Sequence, residues 1–183
     1  NPGGLQVLAI YPAAGSRSRF GGDPPKQYLL PRGKPILVHI GERILRQPEV
    51  ARVVVAIDPQ HRDRVERIRA ENDWKRVTIT DGGATRLESV RNALIAAEGD
   101  PRGLVAIHDA VRPFFRASTF SATVKAADEF GAAIPVGHLN ETIHLVRDGF
   151  IVETLNLSTL FAAQTPQCFR VSLPRRAPRQ SFA

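Results

Sequence analysis

The chain has 183 residues, 43% of them hydrophobic and 23% charged, with a net charge of +7, a composition that suits a globular domain with one core. Its longest apolar runs fall far short of the roughly 20 residues of a membrane span, and Asn1-Pro2-Gly3-Gly4 carries no secretory pattern. A single cysteine, Cys168, excludes an internal disulfide and a Cys-rich zinc site, and suits a reducing, cytoplasmic compartment.

In chain order, strand-like and helix-like stretches alternate. Residues 7–11 are a short apolar run closed by Pro12, read as a first strand. Residues 36–47 place Ile36, Leu37, Ile40, Ile44 and Leu45 on one helical face. A buried strand at 53–57 stops at Asp58-Pro59. Helix 62–71 follows, with Arg62, Arg64, Arg67 and Arg69 interleaved with Asp63 and Glu66. That scatter of charge, with one Trp and two Tyr for stacking, favours a small polyanion over nucleic acid as partner. Strand 76–80 and helix 85–97 come next. Thr85 with Glu88 three residues later is a capping-box pattern, and Leu87, Val90 and Leu94 are its expected inward face. Strand 104–108, helix 118–130 and strand 132–136 continue the rhythm. Residues 141–146 and 151–155, around Asp148-Gly149, read as a β-hairpin. With no helix to cover it, this arm (about 138–157) is expected to reach a second subunit. The alternation predicts an α/β, Rossmann-like fold: a mostly parallel sheet, helices on both faces, and a protruding hairpin. Ligands of such sheets sit outside the carboxyl ends of the strands. The loop after Tyr11 and the turns after Thr80 and His108 therefore become the places to search.

Each of those places carries a motif. Pro12-Ala13-Ala14-Gly15-Ser16 leads into Arg17, Arg19 and Lys26. Small residues there let main-chain N–H groups approach phosphate oxygens, with cations following. This is neither a Walker loop nor a dinucleotide fingerprint. Asp109, just past a strand end, is placed to hold Mg²⁺ bridging substrate phosphates, or else to cap a turn with Arg112 as its partner. Asp81-Gly82-Gly83-Ala84-Thr85-Arg86, with Ser89, could read a base edge through its main chain, or be a tight strand-to-helix turn. Gln164-Thr165-Pro166-Gln167 adds a hydroxyl and two amides. His39, His61, His138 and His144 lack ligand spacing, so no zinc site is expected. Cys168 is read as packed beside Phe169, and Trp74 as a helix-end anchor.

Together and in order, these segments resemble the 2-C-methyl-D-erythritol 4-phosphate cytidylyltransferases of the non-mevalonate isoprenoid pathway. The resemblance runs from about residue 7 to 169. Pro25-Lys26-Gln27-Tyr28, His108-Asp109-Ala110-Val111-Arg112-Pro113 and Ala163-Gln164-Thr165-Pro166-Gln167 carry it, with the two Gly/Ala segments above. It implies a nucleotidyltransferase fold and transfer of CMP from CTP to a small polyol phosphate, with Mg²⁺. Arg19 and Lys26 would be the catalytic cations. Pro12, Ala13, Ala14, Gly15, Ser16, Gly82, Gly83, Ser89 and Ala110 would line the nucleotide site. Arg112, Thr142 and Thr165 would hold the polyol phosphate, Asp109 the metal, and the hairpin a homodimer. No nucleic acid or membrane partner is implied.

Departures from the family pattern accompany the resemblance. Arg17 stands where the family has glycine, Asn156-Leu157 where it has Asp-Arg, and His144 where it has lysine; the segment 137–140 is longer than usual. The helix and final strand that the family carries after Phe169 are not matched up to Ala183. The chain is thus expected as one nucleotidyltransferase domain, alone or as the cytidylyltransferase part of a fusion with the pathway's cyclodiphosphate synthase. The rival readings are a ribitol 5-phosphate cytidylyltransferase and a catalytically silent nucleotide-binding or dimerisation module.

Overall fold

The computed structural model describes residues 5–14, 25–97, 103–109 and 115–171. Its elements in order are β1 (Val7–Ala13), α1 (Ile36–Leu45), β2 (Val50–Ile57), α2 (Arg62–Glu71), β3 (Val77–Asp81), α3 (Arg86–Ala96), β4 (Leu104–Ile107), α4 (Ala117–Phe130), β5 (Ala132–Ala133), β6 (Val136–His138), β7 (His144–Arg147), β8 (Phe150–Thr154), β9 (Phe161–Ala163) and β10 (Gln167–Arg170). The main sheet has the order β3-β2-β1-β4-β10-β5. β1 to β4 run parallel, and β10 lies antiparallel to both β4 and β5.

Both faces of this sheet are covered, which fixes where the apolar residues go. On β1, Val7, Ala9, Tyr11 and Ala13 point to the side packed by α1, α2 and α4, through Leu37, Ile40, Ile44, Val65, Phe120 and Val124 among others. Ile10, with Val54, Ala56, Val105 and Ile107, points to the side packed by Val90, Ala93 and Ala97. Each fully buried aliphatic side chain contributes about 1.5–3 kcal/mol to this two-sided core.

Several expected boundaries shift, each for a physical reason. β1 runs through Pro12, which pairs in register with Ala56. Its pairing with β4 stops at Ile10, so Pro12 has a strand neighbour on one side only, where a missing N–H is tolerated. The expected strand at 132–136 is broken: β5 joins the main sheet through β10, whereas β6, beyond Pro135, pairs with β9 in a separate sheet. Leu87 is 67% exposed and not on the inward face of α3, which is Ser89, Val90 and Ala93. The first turn of α3 lies beside Asp109 at the carboxyl edge of the sheet, where no strand among the described residues extends far enough to cover Leu87. The hairpin is shorter than expected, β7 with β8. Asp148 and Gly149, at φ 51° and 82°, form the two-residue turn that needs positive φ at both positions. Every residue of β7 and β8 is exposed.

Among the described residues, no helix is long and apolar enough to cross a membrane. The cations of α2 are largely engaged: Arg62 pairs with Glu66 and Asp81, and Arg69 with Glu66.

Candidate active site

Two strand ends and their neighbours build a cradle at the carboxyl edge. β1 delivers Ala13 and Ala14, and β3 delivers Gly82. The Gly82 N–H donates to the Ile57 carbonyl at 2.7 Å, which ties the turn to the end of β2. A Cβ on Gly82 would lie 2.1 Å from the Cβ of Ala14. The two small-residue segments are therefore in contact, and only glycine fits between them.

The turn after Gly82 is held from inside. Thr85 Oγ1 accepts from Glu88 N at 3.1 Å, and Glu88 Oε2 accepts from Thr85 N at 3.0 Å, so the capping box is complete. Ser89 Oγ accepts from Gly83 N at 3.1 Å and donates to the Thr85 carbonyl at 2.9 Å. With that hydroxyl buried and engaged, Ser89 shapes the turn, and its hydrogen on Oγ is already given to the main chain.

Lys26 opens a short 3-10 turn, Lys26–Tyr28, and is exposed. Its neighbour Gln27 is buried and donates Nε2–H to the Ala13 carbonyl at 2.8 Å, so the lysine is anchored beside the end of β1. Tyr28 closes the turn's other side. Its ring meets His61 edge-on at 4.9 Å, and the Arg64 guanidinium lies 5.2 Å from its centroid. Burial pushes the Tyr28 phenol up to about 12, against the opposing pull of Arg64.

His108 and Asp109 follow directly on β4, next to β1. His108 is fully buried; its N–H donates to the Ile10 carbonyl at 3.0 Å. Its ring lies between Tyr11 and Phe115, at 6.0 and 4.9 Å. His108 Nδ1 lies 3.1 Å from Thr165 Oγ1, the donor of that bond depending on the imidazole tautomer. Because β10 is antiparallel to β4, with Gln167 opposite Ile107, its first residues and Thr165 lie at the same edge. Arg86, the first residue of α3, spans the gap. Its Nη2 and Nε lie 3.2 and 3.3 Å from Asp109 Oδ1, and Nη2 also donates to Gln167 Oε1 at 3.1 Å.

The edge thus gathers Pro12, Ala13, Ala14, Lys26, Gly82, Gly83, Asp109 and Thr165, with Ser89 beneath. Thr142 is exposed, two residues before β7 and outside this set of contacts. Gly15, Ser16, Arg19, Ala110 and Arg112 lie outside the described residues. Gln27, Arg86 and His108 stand inside the motifs, and the contacts they make here are not legible from the sequence alone. For His108 the available signal is a polar residue closing an apolar strand, immediately before the carboxylate.

Asp109 fits a magnesium ion carried largely by phosphates. Its carboxylate is at a strand end with the side chain 30% exposed, and Mg²⁺ commonly takes only one or two protein carboxylates beside substrate phosphates and water. Among the described residues no group of three or more His, Cys, Asp or Glu gathers to hold a metal without such help. Cys168, in β10, is buried, and burial pushes its thiol up to about 12. It is a packing residue of the core.

The family profile for IspD, 2-C-methyl-D-erythritol 4-phosphate cytidylyltransferase, matches residues 7–182. The chain is 41% identical over 186 aligned positions to the enzyme of that name from Symbiobacterium thermophilum, covering 99% of this chain and 76% of the relative. It is 38% identical over 170 positions to the one from Geobacillus kaustophilus, covering 92% and 74%. Its fold is similar to the crystal structure of 4-diphosphocytidyl-2C-methyl-D-erythritol synthase from Anaerococcus prevotii, with a TM-score of 0.76 at 26% identity over 92% of this chain and 72% of that one. In sequence and in shape, the chain belongs to the 2-C-methyl-D-erythritol 4-phosphate cytidylyltransferase family.

Proposed function

We propose that this chain transfers the cytidylyl group of CTP to 2-C-methyl-D-erythritol 4-phosphate, with release of pyrophosphate, in the cytosol and as a step of isoprenoid precursor synthesis. The observation that carries the reading is the meeting of the Ala13-Ala14 segment, the Gly82-Gly83 turn, Lys26, Asp109 and Thr165 at one sheet edge. Main-chain groups of the first two segments would cradle the nucleotide, and Lys26, with Arg19, would neutralise charge gathering at the α-phosphorus. Thr165, with Arg112 and Thr142, would hold the polyol phosphate.

The nucleophile is an oxygen of a phosphate monoester, whose second pKa is about 6, so it is ionised at neutral pH and needs no general base. It forms a new bond to the α-phosphorus as the bond from that phosphorus to the pyrophosphate oxygen breaks. The protein's task is to hold two anions in line and to offset their charge. A magnesium ion at Asp109, when bound, supplies further charge neutralisation on the phosphates.

The same reading includes a homodimer through the hairpin. What supports it is the exposure of Phe150 (75%), Ile151 (61%) and Val146 (54%) on an arm that no element among the described residues covers. Pyrophosphate release measured with CTP and Mg²⁺ tests the activity, with 2-C-methyl-D-erythritol 4-phosphate and ribitol 5-phosphate offered in turn. Turnover restricted to the first acceptor is expected. A preference for ribitol 5-phosphate, or CTP binding without release, would refute the assignment. Sedimentation of the protein tests the dimer, and a purely monomeric species would exclude it.

A further inference from the structure

We propose that Arg86 is a positioning residue that holds Asp109 closed to free cations, so that metal binding at this edge becomes conditional on the nucleotide. The inference rests on the reading of Asp109 as the metal carboxylate.

Arg86 places two nitrogens of one guanidinium against a single oxygen, Asp109 Oδ1, at 3.2 and 3.3 Å. The same Nη2 bonds Gln167 Oε1 at 3.1 Å. The guanidinium is thus held from two strand ends, while the Thr85 capping box fixes the backbone it grows from. Its location is electrostatically costly, because the first turn of a helix is the positive end of the helix dipole and disfavours a cation. The Asp109 carboxylate offsets that cost.

A divalent cation approaching Oδ1 alone must displace a permanently charged group or tolerate it at close range, and both weaken its binding. A polyphosphate changes the balance. Its oxygens give the guanidinium an alternative anionic partner, and they bring the cation with them. Asp109 then exchanges one positive partner for another without being left bare. An alternative role, a simple bridge between α3 and β10, makes the opposite prediction: its loss would loosen the edge and weaken metal binding under every condition.

Mn²⁺ binding, followed by loss of the free-ion electron paramagnetic resonance signal, separates the two roles without recourse to activity. In the absence of nucleotide, Arg86→Gln is expected to bind Mn²⁺ about fivefold more tightly than wild type, the upper end of what a partly exposed ion pair is worth. Arg86→Lys, which keeps the charge, stays near wild type. With CTP present the order inverts, because wild type gains Mn²⁺ affinity and Arg86→Gln has lost a phosphate partner. Circular dichroism checks that each variant is folded. Equal or weaker Mn²⁺ binding by folded Arg86→Gln without nucleotide overturns the lock. Mn²⁺ binding that is indifferent to Asp109→Asn, with or without CTP, overturns the metal assignment beneath it and the lock with it.

Discussion

Replacing Gly82 with alanine should disable the nucleotide cradle while leaving the chemistry-bearing side chains in place. The new Cβ would sit 2.1 Å from Ala14 Cβ, 2.9 Å from Ser89 Oγ and 3.3 Å from the Ile57 carbonyl oxygen. Ordinary carbon–carbon contact is about 3.5–4.0 Å, so the β1 end and the β3 turn must part by about 1.5 Å. Backbone bounds the site on one side and a hydroxyl held by two hydrogen bonds on another, so little of that displacement can be absorbed by a rotamer change. Overpacking of this kind costs about 1–3 kcal/mol of stability. A misplacement of about 1 Å at a positioning element costs about a hundredfold in rate. Thermal melts and pyrophosphate release at varied CTP measure the two effects separately. The expected result is a folded protein with a lower melting temperature and a kcat/KM for CTP reduced about a hundredfold. Should Gly82→Ala fail to fold, Ser89→Ala takes its place, since it removes the acceptor of Gly83 N–H without a clash, and its kcat/KM for CTP should fall about fivefold. Wild-type kcat/KM for CTP in a folded variant would refute the idea that Ala14 and Gly82 together form the cradle.

Other perturbations probe the remaining parts. His108→Phe keeps the ring between Tyr11 and Phe115 but loses the bond to Thr165; steady-state kinetics should show the efficiency for the polyol phosphate falling about fivefold, with KM for CTP unchanged. Thr85→Ala removes one half of the capping box and should cost about 1 kcal/mol in denaturant unfolding. The folded Cys168 thiol titrates at about 12, well above its ordinary value, so the unfolded chain releases this proton first as pH rises. The contribution of the buried thiol is therefore fully present below about pH 9 and is lost as pH rises toward about 12, the buried Tyr11 and Tyr28 phenols adding to the fall above pH 10. Urea melts at stepped alkaline pH should show a shallower decline in Cys168→Ala. A parallel decline in both proteins would contradict the burial argument.

What could be read from sequence was local. The Thr85–Glu88 box, the helix at Arg62–Glu71 and the Asp148-Gly149 turn each depend on a few consecutive residues, and each stands where those residues put it. The limits of β1 were harder to read, because Leu8 and Ile10 are packed on one face while Ala9 and Tyr11 are packed on the other. A strand covered on both sides loses its alternation, and Pro12 then looked like an end. Leu87 followed helical spacing, yet spacing cannot tell where the sheet beneath a helix stops. The site's positioning bonds were out of reach for another reason. His108 and Thr165 are 57 residues apart, and Arg86 and Gln167 are 81 apart; only the antiparallel insertion of β10 beside β4 brings these pairs together. The motifs named the participants, and the topology assigned their partners.

Amide chemical-shift mapping during titration with CTP and Mg²⁺ tests the central claim most directly. The account predicts shifts concentrated at Ala13, Ala14, Lys26, Gly82, Gly83 and Asp109, the groups gathered around the ends of β1, β3 and β4. Shifts centred on the outer faces of α1 and α2, or none at saturating nucleotide, would contradict it.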